Sequence, residues 1–263
     1  MPIIKANGID IYYELHGTGQ PLVLIAGYTG DHTFWKFMLD DLAKHFKVLI
    51  FDNRAIGQTR DSGSDFSLDD MAQDTLSLIN ALGIEKPNIL GQSMGGAIAQ
   101  LIAKNHPQHI NRLIILNSVA KFNVRTHKTL ENLFKLRQAN VSFDLFIDTA
   151  LTWFLSSDYL ANPEHIKAFK EDLINNPFPQ SIVDQERQFK ALLPFDSRNW
   201  IKDIIAPTLV ISAEEDIVAL PEECKTLANG IPNAQYKLIP GGHSSPVEQV
   251  SRVNHLIQHF LTE

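Results

Sequence analysis

The chain has 263 residues, 44% apolar and 20% charged, enough to bury one sizeable core or two small ones and too apolar for a disordered polymer. With 23 Lys and Arg against 30 Asp and Glu the net charge is −7, without blocks of like charge, which argues against a nucleic-acid partner. A single cysteine, Cys224, supplies neither an internal disulfide nor a thiolate metal site, and no apolar run approaches the ~18 residues of a membrane helix.

In chain order, segments 3–9 and 11–15 flank Asp10 and predict an antiparallel start to a sheet. This segment lacks the basic and then apolar layout of a signal peptide, so a cytoplasmic location without membrane association is expected. Apolar runs at 22–26, 47–51, 87–90, 112–116, 208–212 and 235–239 predict fully buried strands. Between them, 68–82, 97–103 and 247–261 carry helical spacing. Strand and helix alternate, which predicts an α/β fold with a mostly parallel sheet covered on both faces. The alternation breaks after Asn117 and resumes at Ala206-Pro207. Residues 120–200 hold ten basic and ten acidic residues and 12 of the 23 aromatics, too aromatic for a linker. They read as an inserted helical subdomain, leaving 1–119 and 201–263 as the core.

After the strand at 87–90 comes Gly91-Gln92-Ser93-Met94-Gly95 and then a helix. This is G-x-S-x-G in its required context, and composition alone predicts roughly 0.04 such matches in the chain. The glycines let a sharp turn close while the hydroxyl stays exposed, and the N–H of Met94, at the helix start, is the expected first oxyanion donor. Serine is a weak nucleophile and needs a base. Among ten histidines, His243 alone has the right setting, a loop after the last strand, reached through Pro240-Gly241-Gly242. His16, His45, His106, His109, His127 and His165 read as solvated. His255 and His259 stand four apart on a helix, but without the Glu of a zinc-protease motif or a third ligand, so no metal is expected. The acid that orients the imidazole is expected between serine and histidine in the chain, where Asp216 follows the strand at 208–212, with Glu214 and Glu215 as rivals. Asp52 reads as a structural carboxylate serving loop amides or Arg54.

The order Ser93, Asp216, His243, with the serine between strand and helix, resembles the α/β-hydrolase superfamily over essentially the whole chain. The resemblance implies the α/β-hydrolase fold, a mostly parallel eight-stranded sheet with helices on both faces and an inserted helical cap over the serine. Residues 24–28 look like the family's oxyanion strand end, which makes the Tyr28 N–H the second donor, and 52–59 look like its D-x-R-G-x-G-x-S loop. Ala26 and Gln92 stand where His is common, and Ala55 where Gly is common. Asn117 occupies a position some relatives use for the acid. Residues 117–129 and 212–244 look similar to bacterial 3-oxoadipate enol-lactone hydrolases and to the aminoacrylate hydrolases of pyrimidine breakdown.

What these features imply together is a cofactor-independent serine hydrolase that cleaves a small carboxylic ester or lactone through an acyl-enzyme on Ser93. Cleavage of a carbon–carbon bond in a dicarbonyl compound, or a non-catalytic ligand receptor on the same fold, are the alternatives. Part of the cap is expected to line the acyl pocket, with Phe143, Phe146, Trp153 and Phe154 as its contributors, favouring small or medium uncharged acyl chains. No motif in the chain reports substrate identity or oligomeric state.

Overall fold

A computed structural model describes residues 2–263. The chain opens with a hairpin of β1 (Ile3–Ala6) and β2 (Ile9–His16). It reverses at Asn7-Gly8, with φ of 49° and 77°, and Asp10 lies inside β2 opposite Lys5 rather than at the turn. An Asn-Gly pair tolerates two successive positive φ angles, which is the local signal that places this turn.

The strand–helix alternation then runs through β3 (Gln20–Ile25), a 3-10 turn (His32–Trp35), α1 (Lys36–Leu42), β4 (Phe46–Phe51), α2 (Leu68–Ala81), β5 (Asn88–Gln92), α3 (Met94–Asn105) and β6 (Leu113–Leu116). Five helices follow: α4 (Val124–Gln138), α5 (Phe143–Phe154), α6 (Ser157–Leu160), α7 (Pro163–Ile174) and α8 (Ile182–Leu192). The chain returns to the sheet in β7 (Thr208–Ala213), α9 (Pro221–Gly230), β8 (Ala234–Ile239), α10 (Ser245–Glu248) and α11 (Val250–Thr262).

The eight strands form one sheet in the order β1-β2-β4-β3-β5-β6-β7-β8. Only the β1–β2 and β2–β4 pairs are antiparallel. Side chains alternate across the strands and so feed two cores. Val23, Ile25, Ile89, Ile115 and Val210 pack with α2, α3 and α9, whereas Leu22, Leu24, Leu90, Leu116 and Ile211 pack with α1 and α11. Continuous apolar strands thus carry two cores at once, which is why they read as uninterrupted runs. β8 departs from that pattern. It is the sheet edge, and its Gln235, Lys237 and Leu238 are exposed rather than buried. Polar side chains on an edge strand discourage pairing with another chain.

From β3 the chain passes to β4 on one side and later to β5 on the other, so the strand order reverses between β3 and β5. Loops beyond the carboxyl ends at such a point form the crevice where α/β ligand sites lie. Helices α4 to α8, inserted between β6 and β7, cover that crevice. No helix among the described residues is long and apolar enough to cross a membrane.

Candidate active site

Ser93 is the single residue between β5 and α3. Its φ of 53° and ψ of −119° are a conformation that costs a non-glycine residue about 1–3 kcal/mol and persists only when the surroundings enforce it. Here they do. A Cβ on Gly91 would meet the Gly95 carbonyl oxygen at 2.1 Å, and one on Gly95 would meet the Ile25 oxygen at 2.1 Å, so the turn closes only with glycine at both places. The Ser93 carbonyl accepts from Gly96 N–H at 2.9 Å and from the Ser118 hydroxyl at 2.7 Å.

His243 Nε2 lies 2.9 Å from Ser93 Oγ, and its Nδ1 lies 2.8 Å from Asp216 Oδ2. The other Asp216 oxygen accepts from Val218 and Ala219 N–H, both at 2.8 Å, which leaves the carboxylate one free direction, toward the imidazole. All three groups are buried. The rival acids point elsewhere: Glu214 is exposed, and Glu215 accepts from Ser157 N–H at 2.9 Å, a bond that with the Ser157 hydroxyl holds its pKa below the usual carboxylate value.

Met94 opens α3, so its N–H is one of the helix's unpaired first-turn donors, and Tyr28 follows β3 beside Ser93. Neither N–H has a protein acceptor among the described residues.

The loop that carries His243 is gripped by Asn117, Gln92 and Glu248, contacts with no local signal in the amino-acid pattern. Asn117, read above only as the occupant of an alternative acid position, donates from Nδ2 to the His243 carbonyl at 2.8 Å and to Ser245 Oγ at 2.9 Å. Gln92 donates to the same carbonyl at 3.2 Å. Glu248 accepts from Gly242 N–H at 3.0 Å and from Ser156 of the cap, and burial raises its pKa. Asp52 serves the loop amides of His32 and Gln58, at 2.8 and 2.7 Å, but not Arg54, which forks onto Asp74 instead. His32, absent from the histidines weighed above, lies with its Nδ1 2.7 Å from Asp52. Asp31, His32 and Asp52 are the one metal-capable grouping among the described residues, and their ligand atoms are already taken by these bonds and by Thr33 and Asn176. His255 and His259 stack on the surface, with His259 against Glu263.

A cavity of about 330 Å³ opens over Ser93 and His243. Phe143, Phe146, Ile147, Ala150 and Phe154 line it at the three- and four-residue spacing of one face of α5, and the Phe154 ring lies 5.8 Å from that of His243. Trp153 is not in this wall, contrary to the expectation above: one residue before Phe154, it falls about 100° around the helix.

A family model described as alpha/beta hydrolase fold matches residues 20–249. The chain belongs to the alpha/beta hydrolase fold family. Its hydrolase relatives include the protein named "Putative carbamate hydrolase RutD" from Caulobacter sp. (strain K31), 28% identical over 98% of both chains. Among solved structures, a thermophilic esterase from Thermogutta terrifontis, with malate bound, is 27% identical with a TM-score of 0.85, covering 100% of this chain and 98% of that one. The enol-lactonase from Burkholderia xenovorans LB400 shares the fold, at 24% identity and a TM-score of 0.86 over 100% of both chains. In this hydrolase Ala55, where glycine is common, has φ of 64°, so the loop keeps the left-handed turn at some strain.

Proposed function

We propose that this protein is a cytoplasmic, cofactor-independent serine hydrolase that cleaves a small carboxylic ester or lactone through an acyl-enzyme on Ser93. The observation that carries the reading is the unbroken hydrogen-bonded chain from Asp216 through His243 to Ser93 Oγ at the wall of a mostly apolar cavity. With its proton on Nδ1, held there by Asp216, the imidazole presents a lone pair at Nε2 and removes the Ser93 proton. The alkoxide attacks the carbonyl carbon, and the Met94 and Tyr28 N–H groups take the oxyanion. His243 returns the proton to the leaving oxygen, then draws one from water as that water attacks the acyl-enzyme and passes it to Ser93 Oγ as the bond to the acyl carbon breaks and the acid leaves. The same sequence operates on a carbamate, which the chain-long likeness to a protein of that name supports as a second substrate class.

A panel of short p-nitrophenyl esters, lactones and alkyl carbamates, run on the wild type and on Ser93→Ala, tests the reading. Turnover that depends on Ser93 is expected with esters or lactones. Saturable binding without turnover of any compound would make the protein a receptor on a hydrolase fold.

A further inference from the structure

The cavity over Ser93 is mostly carbon, but four charged residues line it: Asp31, Lys36, Arg137 and Asp172. Three are already engaged. Lys36 and Asp172 pair with each other, and Asp31 accepts from Thr33 N–H and Asn176 Nδ2, both at 2.8 Å. Arg137, on α4, differs. No carboxylate among the described residues lies within ion-pair distance of it, whereas the other guanidiniums packed between cap and core are matched, Arg54 by Asp74 and Arg187 by Asp61. Its two protein bonds go to neutral acceptors, from Nη1 to Gln185 Oε1 at 2.6 Å and from Nη2 to the Gln180 carbonyl at 2.9 Å. These bonds fix the plane of the fork and leave donors of a group that has five. Phe146 supports it from one side, with the ring centroid 5.9 Å from the guanidinium carbon.

A short chain of contacts links it to the serine. A Cβ on Gly27 would lie 3.1 Å from Ser93 Cβ, so this backbone adjoins the serine. Tyr28 comes next, and its hydroxyl, at the far end of the ring, donates to the carbonyl of Gln185, the residue whose side chain holds Arg137. Arg137 therefore lies past the hydroxyl end of Tyr28, joined to it through Gln185, on the wall of the cavity that Ser93 also lines.

We propose that Arg137 anchors a carboxylate carried by the substrate, several bonds from the scissile carbonyl. This deepens the hydrolase reading and rests on it: the favoured substrates are monoesters of dicarboxylic acids, or lactones bearing a carboxyl group, rather than the uncharged acyl chains that the aromatic residues of the cap alone suggest. A planar carboxylate meets the free edge of a held guanidinium with two charge-assisted hydrogen bonds, while the rest of its chain lies along Phe146 and Phe154.

The test compares the monomethyl and dimethyl esters of succinic, glutaric and adipic acids, which share the scissile group and differ in charge. In the wild type at least one monoester should exceed its diester in kcat/KM by about 10-fold to 100-fold. Arg137→Gln should bring that ratio to about one or below, and Arg137→Lys should restore part of it. An arginine that merely ties α4 to α8 would affect both esters alike and leave the ratio unmoved. A diester preferred at every length, or a ratio unchanged in Arg137→Gln, overturns the proposal. Binding of the free dicarboxylates to Ser93→Ala, by calorimetry, separates the two readings. Binding that Arg137→Gln abolishes, without turnover of either ester by the wild type, upholds the anchor and ends the hydrolase reading; turnover of both esters without discrimination or dicarboxylate binding does the reverse.

Discussion

The ends of the strands and the cap face the same cavity, but they are held in place by different means. Ser93, Asp216 and His243 are 7%, 1% and 5% exposed, and each is fixed by hydrogen bonds to backbone groups or to side chains that themselves sit on strand ends. The cap is anchored differently: α4 and α8 pack onto the core through Leu130, Phe189 and Leu192, but α7 has no buried residue and α5 buries only Ile147 and Leu151. Its borders are tied down by Glu215 and Glu248 on Ser157 and Ser156 at one side and by Arg187 on Asp61 and Gln188 on the Arg54 carbonyl at the other. The division matches the roles proposed for the two parts. Bond-making needs positions fixed to a fraction of an ångström, and a wall that selects substrates needs only the right surface.

If that division holds, damage to the strand-end chain should cost far more than damage to the cap. Asp216→Asn keeps the shape of the side chain but favours the wrong imidazole tautomer, and should lower kcat about 10⁴-fold. Glu214→Gln, two residues away and exposed, should stay within about 2-fold in the same ester assay. Equal losses in the two variants would mean that the acid is misassigned. In the cap, Phe154→Ala removes a ring against His243 and should lower kcat/KM about 10-fold, whereas Trp153→Ala, off the cavity wall, should change it about 2-fold or less. A larger loss from Trp153 would show that the wall of α5 is misread.

The smallest expected effect is on stability and comes from His32, in the loop that follows β3. Burial works against its cation, but the hydrogen bond it donates to Asp52 and the charges of Asp52, Asp31 and Glu14 outweigh burial and raise its pKa. A histidine raised in the folded state stabilises fully below its unfolded value, near about 6.5, and that stabilisation is lost as pH rises through the folded value. The urea midpoint of the wild type should therefore exceed that of His32→Asn most at pH 6 and by progressively less toward pH 9. A difference that stays constant with pH would mean that the imidazole contributes only as a neutral hydrogen-bonding group.

How much of this was legible in the amino-acid sequence follows the same division. The strands and the serine turn were readable because their causes are local: apolar runs buried on both faces, and glycines demanded within two residues of Ser93. His243 was readable from its place after the last strand. The grip of Asn117 on the His243 loop was not, because it spans more than a hundred residues and an asparagine after a strand signals nothing by itself. The His32–Asp52 pair is hidden for the same reason, across 20 residues. In the cap, one step along α5 separates Phe154 in the wall from Trp153 outside it, and composition cannot resolve a rotation of that size. Arg137 looked like one of ten balanced basic residues until the fold set it on the cavity wall with no acid beside it.

The most direct measurement is intact-protein and peptide mass spectrometry after brief exposure to a fluorophosphonate. One phosphonyl adduct per chain, mapped to Ser93, absent in Ser93→Ala and blocked by a competing ester substrate, is the predicted result. An adduct at any other residue, or steady ester turnover by a protein whose Ser93 stays unlabelled, would contradict it.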